Sequence, residues 1–314
     1  TDNQLDIYKE SVNYLTGYKY LCNEQLASKL IGLLAYQQYM QSKGEKVKVD
    51  KAIRPIIHRL TNHQNKHQLW SWWGNSENTS FWMSAHILRA LKMAQDAGYP
   101  VELNLNGLKV EYAHTRPYRG MKLEDIEILH ALHEWKVEAD YSSAVRLLEP
   151  FVRQLEQKED SLANRNKSYR PLSYLKEKLL LWEIKQQVDS VNVGDSVRPY
   201  LKKDMLEGVY CDDGRHTYYW EGNQMINTLI AYRIIKNDPS LCKLKENMQL
   251  YILRTKERGW NTYQASSAVA TVLTDLLAGS GGMSGTSVSV SGKDHQRITE
   301  FPYHARLTAG DSLL

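Results

Sequence analysis

Apolar residues recur at three- and four-residue spacing through most of this chain, and that periodicity restricts residues 1–278 to a succession of helices. Leu26, Leu30, Leu33 and Leu34 form one such face; Phe81, Ala85, Leu88 and Leu91 form a second. Ile126, Leu129, His130, Leu132 and Trp135 mark a third, Leu175, Leu179, Leu180 and Ile184 a fourth, and Ile226, Leu229, Ile230 and Ile234 a fifth. Breakers separate them: Gly44, Gly74, Gly98–Pro100, Pro117 with Gly120, Pro150, Pro171, Gly208, Gly214, Asn237–Pro239 and Gly259. About a dozen helices with short connections are expected. Paired helices of this kind stack as an open superhelix or close on themselves as an α/α toroid.

The register changes after residue 278. Gly279–Gly285 has the composition of a flexible linker. Thr286–Ser291 alternates with period two, Ser291-Gly292-Lys293-Asp294 is a turn signal, and Gln296–Leu307 alternates more loosely. The expected division is therefore a helical domain over 1–278 and, over 279–314, a linker and the first strands of a β domain. A small hairpin packed on the helices is the alternative for the tail. Thr1 at the start and the incomplete strand pattern at the end predict a segment of a longer parent, with flanking domains as its partners.

Composition narrows the functional classes. The 314 residues carry 40 Lys+Arg against 36 Asp+Glu, a net charge of +4, without a dense basic block; nucleic acid is not expected as a partner. No apolar run reaches the length of a membrane span, so no membrane contact by this segment is expected. The 20 Tyr and 8 Trp against 3 Phe suit half-buried positions and lined clefts. Cys22, Cys211 and Cys242 allow either one disulfide, such as Cys211–Cys242, or three free thiols.

The segment that carries chemistry is Tyr18-Lys19-Tyr20-Leu21-Cys22-Asn23-Glu24-Gln25-Leu26-Ala27-Ser28. Cys22 and Gln25 are three apart, so on a helix their side chains share a face. A thiol beside a carboxamide can condense with loss of ammonia to an internal thioester, and an amine reaching its carbonyl carbon takes the acyl group and frees the thiol. Cys22 is at or near a helix N-terminus, where the dipole and free N–H groups are expected to favour a thiolate leaving group. The bond needs an apolar surround, to which Tyr18 and Tyr20 are expected to contribute, and Glu24 is expected to support the hydrogen bonding.

At these residues the chain resembles the alpha-2-macroglobulin and complement family. Cys-x-Glu-Gln is that family's thioester signature, and bacterial members resemble the segment more closely still, with Tyr-x-Tyr-x-Cys-x-Glu-Gln and a Ser shortly after. Tyr18, Tyr20, Cys22, Glu24, Gln25 and Ser28 match. Trp72-Trp73-Gly74 and Trp82-Met83-Ser84-Ala85 through Ala97-Gly98-Tyr99 look like the family's Trp-rich turn and following helix; Trp260-Asn261-Thr262 with Gln264 looks like its late helix start. The resemblance covers about residues 10–278. It implies an all-α toroid inserted in a CUB-like β domain, and a Cys22–Gln25 thioester that acylates amines of a protease once that protease has cut a bait elsewhere in the parent. It implies a single-use trap rather than an enzyme, exported to a periplasm or cell surface as part of a larger membrane-anchored protein; no cofactor and no metal are expected. Leu21 stands where the family has Gly, and the stretch that holds a relay histidine in complement proteins is short here, with His114 the nearest candidate.

Other patterns are weaker. His63 with His67, and His130 with His133 and Glu134, have spacings that could hold zinc, yet neither has a third ligand in sequence; surface or half-buried histidines are expected. Asp212-Asp213-Gly214 begins like a calcium loop but lacks the spaced oxygens, so a turn is expected. Two other functional classes remain: an α/α-toroid enzyme acting on a polysaccharide or isoprenoid, for which Glu124, Asp125, Asp212, Asp213 and Glu221 are the candidate acids, and a family scaffold with a vestigial thioester.

Overall fold

A computed structural model describes residues 4–19, 21–120, 122–217, 223–279, 288–291, 296–298 and 312–313. The chain divides into two compact units, Thr1–Thr274 and Asp275–Leu314. The first is helical: α1 (Gln4–Gly17), α2 (Asn23–Ser42), α3 (Asp50–Asn62), α4 (Phe81–Asp96), the short α5 (Asn106–Leu108) running into a π-helical turn at Lys109–Thr115, α6 (Asp125–Glu134), α7 (Tyr141–Arg165), α8 (Leu175–Val188), α9 (Gly194–Val197), α10 (Gln224–Ile235), α11 (Cys242–Thr255) and α12 (Thr262–Ala268); α13 (Thr274–Gly279) starts on the last residue of this unit and continues into the second.

Burial sorts these helices into two kinds. In α10 nearly every residue from Met225 to Ile235 is buried, and α2, α4 and α6 are covered on most sides. The 25-residue α7 instead buries a single stripe, Tyr141, Ala144, Val145, Leu148, Val152 and Glu159, the spacing of a helix with one face on the core. The well-covered helices touch in closed succession: α2 on α4, α4 on α6, α6 on α8, α8 on α10, α10 on α12, and α12 back on α2. Outside them α1 and α3 pack on α2, α7 on α8, and α11 on α10. Gly32 permits the approach of α1, because a Cβ there would lie 3.0 Å from Cβ of Leu15.

Pro150 departs from its expected role as a breaker. It lies inside α7, where its missing N–H leaves the Arg146 carbonyl without a helical donor. The helix continues because tertiary contacts hold it on both sides. Glu149 pairs with Lys185 and Glu156 with Lys178, each at 3.0 Å, and both lysines belong to α8.

One short hairpin interrupts the helices. β1 (Leu201–Lys203) pairs antiparallel with β2 (Val209–Cys211), Leu201 opposite Cys211. Its turn is organised by Asp204, which accepts from the N–H groups of Leu206 and Gly208. The second unit contains β3 (Val288–Ser291), β4 (Gln296–Ile298) and β5 (Ser312–Leu313) in the antiparallel order β4-β3-β5. The expected strands at Thr286–Ser291 and Gln296–Leu307 coincide in part with β3 and β4; the turn and most of the linker lie outside the described residues. No described helix is long and apolar enough to cross a membrane.

Candidate functional site

Cys22 is the N-cap of α2. Its backbone is extended, at φ −69° and ψ 172°, and its side chain faces the N–H of Gln25. In return the Cys22 N–H donates to Oε1 of Gln25 at 3.2 Å. The three-residue spacing thus closes a reciprocal capping box, which satisfies two N–H groups that a helix start leaves without partners. Thiol and carboxamide are held on one turn, with Cys22 buried and Gln25 half-buried.

The thiol feels two opposed influences. Burial pushes the Cys22 thiol above its ordinary value, and the nearby Glu24 charge adds to this; the N–H groups of Gln25 and Glu24 oppose it without prevailing. Desolvation outweighs the helix N-terminus in setting the affinity of the free thiol for its proton.

The next residue anchors the turn. The Asn23 N–H donates to the Trp72 carbonyl at 3.0 Å, and its side-chain amide donates to the carbonyls of Ser71 and Gly74 at 2.7 and 2.9 Å. Those two bonds fix the amide orientation, so Oδ1 is the atom 2.6 Å from Nδ1 of His63, and that ring nitrogen carries the proton. The Trp72-Trp73-Gly74 turn is thereby clamped over the start of α2, with Gly74 at φ +56°, where a side chain would be strained. Trp73 is 63% exposed, and the Trp72 ring meets Trp82 edge-on at 5.8 Å.

Glu24 points inward and is 1% exposed. Its carboxylate accepts from Ser28 and from Thr262, both at 2.7 Å. Ser28 Oγ also lies 2.9 Å from Nε2 of His86 and 3.1 Å from Oγ of Ser266. Since Ser28 gives its one proton to Glu24, the His86 ring must donate to Ser28 through Nε2. Burial, aided by Arg89, lowers His86 to about 3, so it is neutral. Burial raises Glu24 above the usual carboxylate range, against the two hydroxyl donors. Three helix starts, those of α2, α4 and α12, meet in this buried polar cluster. Tyr263 closes it, edge-on to His86 at 4.9 Å and to Trp82 at 5.1 Å.

The expected supporting residues are placed unevenly. Tyr18 is half-buried, with its ring edge-on to Tyr14 at 5.7 Å. Tyr20 lies outside the described residues. His114 is exposed on the π-helical turn. The histidines that reach the cluster, His63 and His86, were not singled out for it, nor were Asn23 and Ser266. The Trp-rich turn preceding His86 in sequence was the available signal.

A second polar assembly lines the space among the well-covered helices, a cavity of about 410 Å³ bounded in part by Arg89, Glu127, Glu134, Lys176, Arg233 and Tyr263. Arg89 donates to Glu134 at 2.7 Å, Arg233 grips Glu183 with two bonds of 2.8 and 2.7 Å, His130 meets Glu183 at 2.8 Å, and Lys176 pairs with Glu127 at 2.7 Å. Burial would raise Glu134, yet Arg89 and His130 hold it down at about 2. His130 is thus fully buried in an ion network, not at or near the surface as expected, because Glu134 and Glu183 compensate its desolvation. No group of three metal-ligating side chains converges among the described residues.

The remaining candidates are structural. Asp125 pairs with Arg116 at 3.2 Å and accepts from the Lys122 N–H; Glu124 is exposed. Asp212 accepts from Gly214 N–H and pairs with Lys202 at 3.1 Å, and Asp213 accepts from Ser173 and the Arg215 N–H, so this segment is a turn. Glu221 and the Tyr218-Tyr219-Trp220 cluster lie outside the described residues. No disulfide joins the three cysteines: Cys22 and Cys211 are buried and Cys242 is exposed.

No protein-family model matches the chain, and no curated protein matches it. Solved structures do. Native Escherichia coli alpha-2-macroglobulin, spanning domain MG7 to the C-terminus, is similar at TM-score 0.59 and 15% identity over 98% of this chain and 46% of that one. Trypsin-activated E. coli alpha-2-macroglobulin gives 0.54 and 14% over 95% and 19%. Salmonella alpha-2-macroglobulin reacted with methylamine gives 0.53 and 16% over 94% and 19%. The fold is therefore alpha-2-macroglobulin-like. The chain spans about a fifth of the longer structures it matches.

Proposed function

We propose that this chain is the thioester domain, an α/α toroid, of an alpha-2-macroglobulin-like protease-trapping protein. The observation that carries the reading is the Cys22–Gln25 pair closed on one turn at the start of α2, in a fold shared with bacterial alpha-2-macroglobulins. The closed succession of α2, α4, α6, α8, α10 and α12 supports the toroid.

The chemistry uses only this chain's residues. The Cys22 sulfur attacks the Gln25 side-chain carbonyl carbon, the thiol proton leaves with the amide nitrogen as ammonia, and a thioester remains. An amine of the attacking protease, which has cut a bait elsewhere in the parent, then adds to that carbon. The C–S bond breaks, an amide forms on Gln25, and the amine's proton goes to the sulfur, restoring the thiol. Each molecule acts once, so the domain is a trap rather than a turnover catalyst. Asn23, through Ser71, Trp72 and Gly74, holds the attacking end, and Glu24 anchors the turn to α12. The parent is exported, to a periplasm or cell surface.

A second reading is favoured by α12. Asn261 and Gln264 form the same capping box, with the Asn261 side chain on the Gln264 N–H and the Asn261 N–H on Gln264 Oε1 at 3.1 Å. A Gln at that position caps a helix without any thiol, so Gln25 could serve only as a cap in a scaffold domain. Intact mass and peptide mapping across Cys22–Gln25, before and after methylamine, separate the two. Loss of one ammonia, then a methylamide on Gln25 with a new thiol, supports the trap; a Glu at position 25 beside a free thiol marks a thioester formed and hydrolysed. An unaltered Gln25 beside a free Cys22, with no methylamine uptake in the full-length parent, establishes the scaffold.

A further inference from the structure

A second cavity, of about 350 Å³, opens beside the first, sharing Glu127 and Lys176 with it. Its walls are of two kinds. Phe81, Trp82 and Tyr174 present half-buried aromatic rings. Glu124 stands at the exposed rim, and Glu127 and Glu177 lie deeper. Lys176 does not balance them all: it sits 2.7 Å from Glu127 but 3.8 Å from Glu177.

Two buried acceptors in this wall are short of donors. Glu177 is 9% exposed, and its carboxylate is met by its own N–H and by Lys176 only at 3.8 Å, beyond hydrogen-bond reach. Asn227, 1% exposed, has a side-chain oxygen without any hydrogen-bond partner. Buried acceptors are rarely left so, because each costs about 1–3 kcal/mol when unsatisfied. The demand is for donors carrying positive charge. A metal ion is a poor candidate, since three ligating side chains do not converge among the described residues. An ammonium group supplies three N–H donors and one charge, and its alkyl stem suits aromatic walls.

We infer that this cavity is a binding site for an alkylammonium group, with Glu177 as the buried counter-ion, Asn227 as a neutral acceptor, Glu124 as the attracting charge at the mouth, and Phe81, Trp82 and Tyr174 around the stem. Such a group belongs either to a free primary amine or to a lysine side chain. Burial raises the Glu177 carboxyl above its usual range despite Lys176, with Glu127 and Glu124 adding to the shift; a bound cation would oppose that shift. The inference does not depend on a thioester. Trp82 also touches Trp72, whose carbonyl holds Asn23, so the site shares a wall with the Cys22 turn.

The test is calorimetric or NMR titration of the full chain as the Cys22→Ala variant, which removes covalent chemistry. The probes are n-butylammonium, the neutral 1-butanol, and Nα-acetyl-lysine N-methylamide. Butylammonium is expected to bind and 1-butanol not to. Glu177→Gln, which keeps shape and loses charge, should weaken binding by about tenfold or more, as for one charge-assisted hydrogen bond. Glu124→Gln, at the exposed rim, should weaken it about two- to threefold. Binding of the lysine derivative as well points to a protein side chain; binding of butylammonium alone points to a free amine. Equal binding of 1-butanol, affinity unchanged in a folded Glu177→Gln protein, or no binding of any ammonium probe overturns the inference.

Discussion

The Glu24 carboxylate accepts a hydrogen bond from the Thr262 hydroxyl at 2.7 Å, joining the first turns of two helices 238 residues apart in sequence. Glu24 is one residue from Gln25 and two from Cys22, so this bond ties the candidate site to the helix that completes the succession. Thr262→Val keeps the volume and removes the donor, leaving one carboxylate oxygen without it. The expected loss is about 1–3 kcal/mol, read from urea unfolding. A change below a few tenths would mean that the two helix starts are held by other contacts.

Gln25 and Gln264 occupy equivalent capping boxes, and their replacement should separate capping from chemistry. Gln264→Ala is expected to cost about 0.5–2 kcal/mol in stability and to leave methylamine uptake intact. Gln25→Ala should cost a similar amount and abolish uptake. Equal uptake by the wild-type protein and Gln25→Ala, measured by mass, would dissociate Gln25 from the reaction.

His86 should make the fold sensitive to mild acid. Its folded value, about 3, lies below the ordinary 6.5. Between these the unfolded chain binds the extra proton, so stability falls as pH drops below about 6.5, by up to about 1.4 kcal/mol per unit. His130 is raised by Glu134 and Glu183 against its burial, and contributes with the opposite sign. The discriminating comparison is therefore with His86→Gln, whose unfolding free energy should fall less between pH 7 and 5.5 than that of the wild type. Parallel pH profiles would contradict a neutral buried His86.

Arg233 grips Glu183 through two hydrogen bonds inside the ion network. Arg233→Met leaves that carboxylate buried with His130 as its remaining partner. A loss of about 3–5 kcal/mol is expected. Chemical denaturation measures it, and a neutral effect would show that water or His130 compensates.

Pro150 is exposed in the middle of α7. Pro150→Ala restores a donor for the Arg146 carbonyl and should raise stability by up to about 3 kcal/mol, offset in part by the greater freedom of the unfolded chain. A thermal melt that moves downward would mean that the proline is required by packing on α8.

Much of this molecule is legible in its residue order because helix formation is local. The 3.6-residue periodicity marks α2, α4, α6, α8 and α10, and the positive-φ glycines at 44, 74, 98, 120, 214 and 259 fall where breakers were read. The Cys22–Gln25 spacing needs only one helical turn to bring its two groups together. Pro150 was misread for the same reason, since a local rule ignores the ion pairs from α8. What the tertiary structure alone decided are the contacts that cross the sequence: Asn23 on the Trp72 turn, Glu24 on Thr262, His86 on Ser28, and the charges of four helices turned inward around His130. Burial is a property of the packed whole, and so are its electrical consequences. The N–H groups at the start of α2 are local and favour a thiolate leaving group at Cys22, but the desolvation that outweighs them there comes from the packed whole.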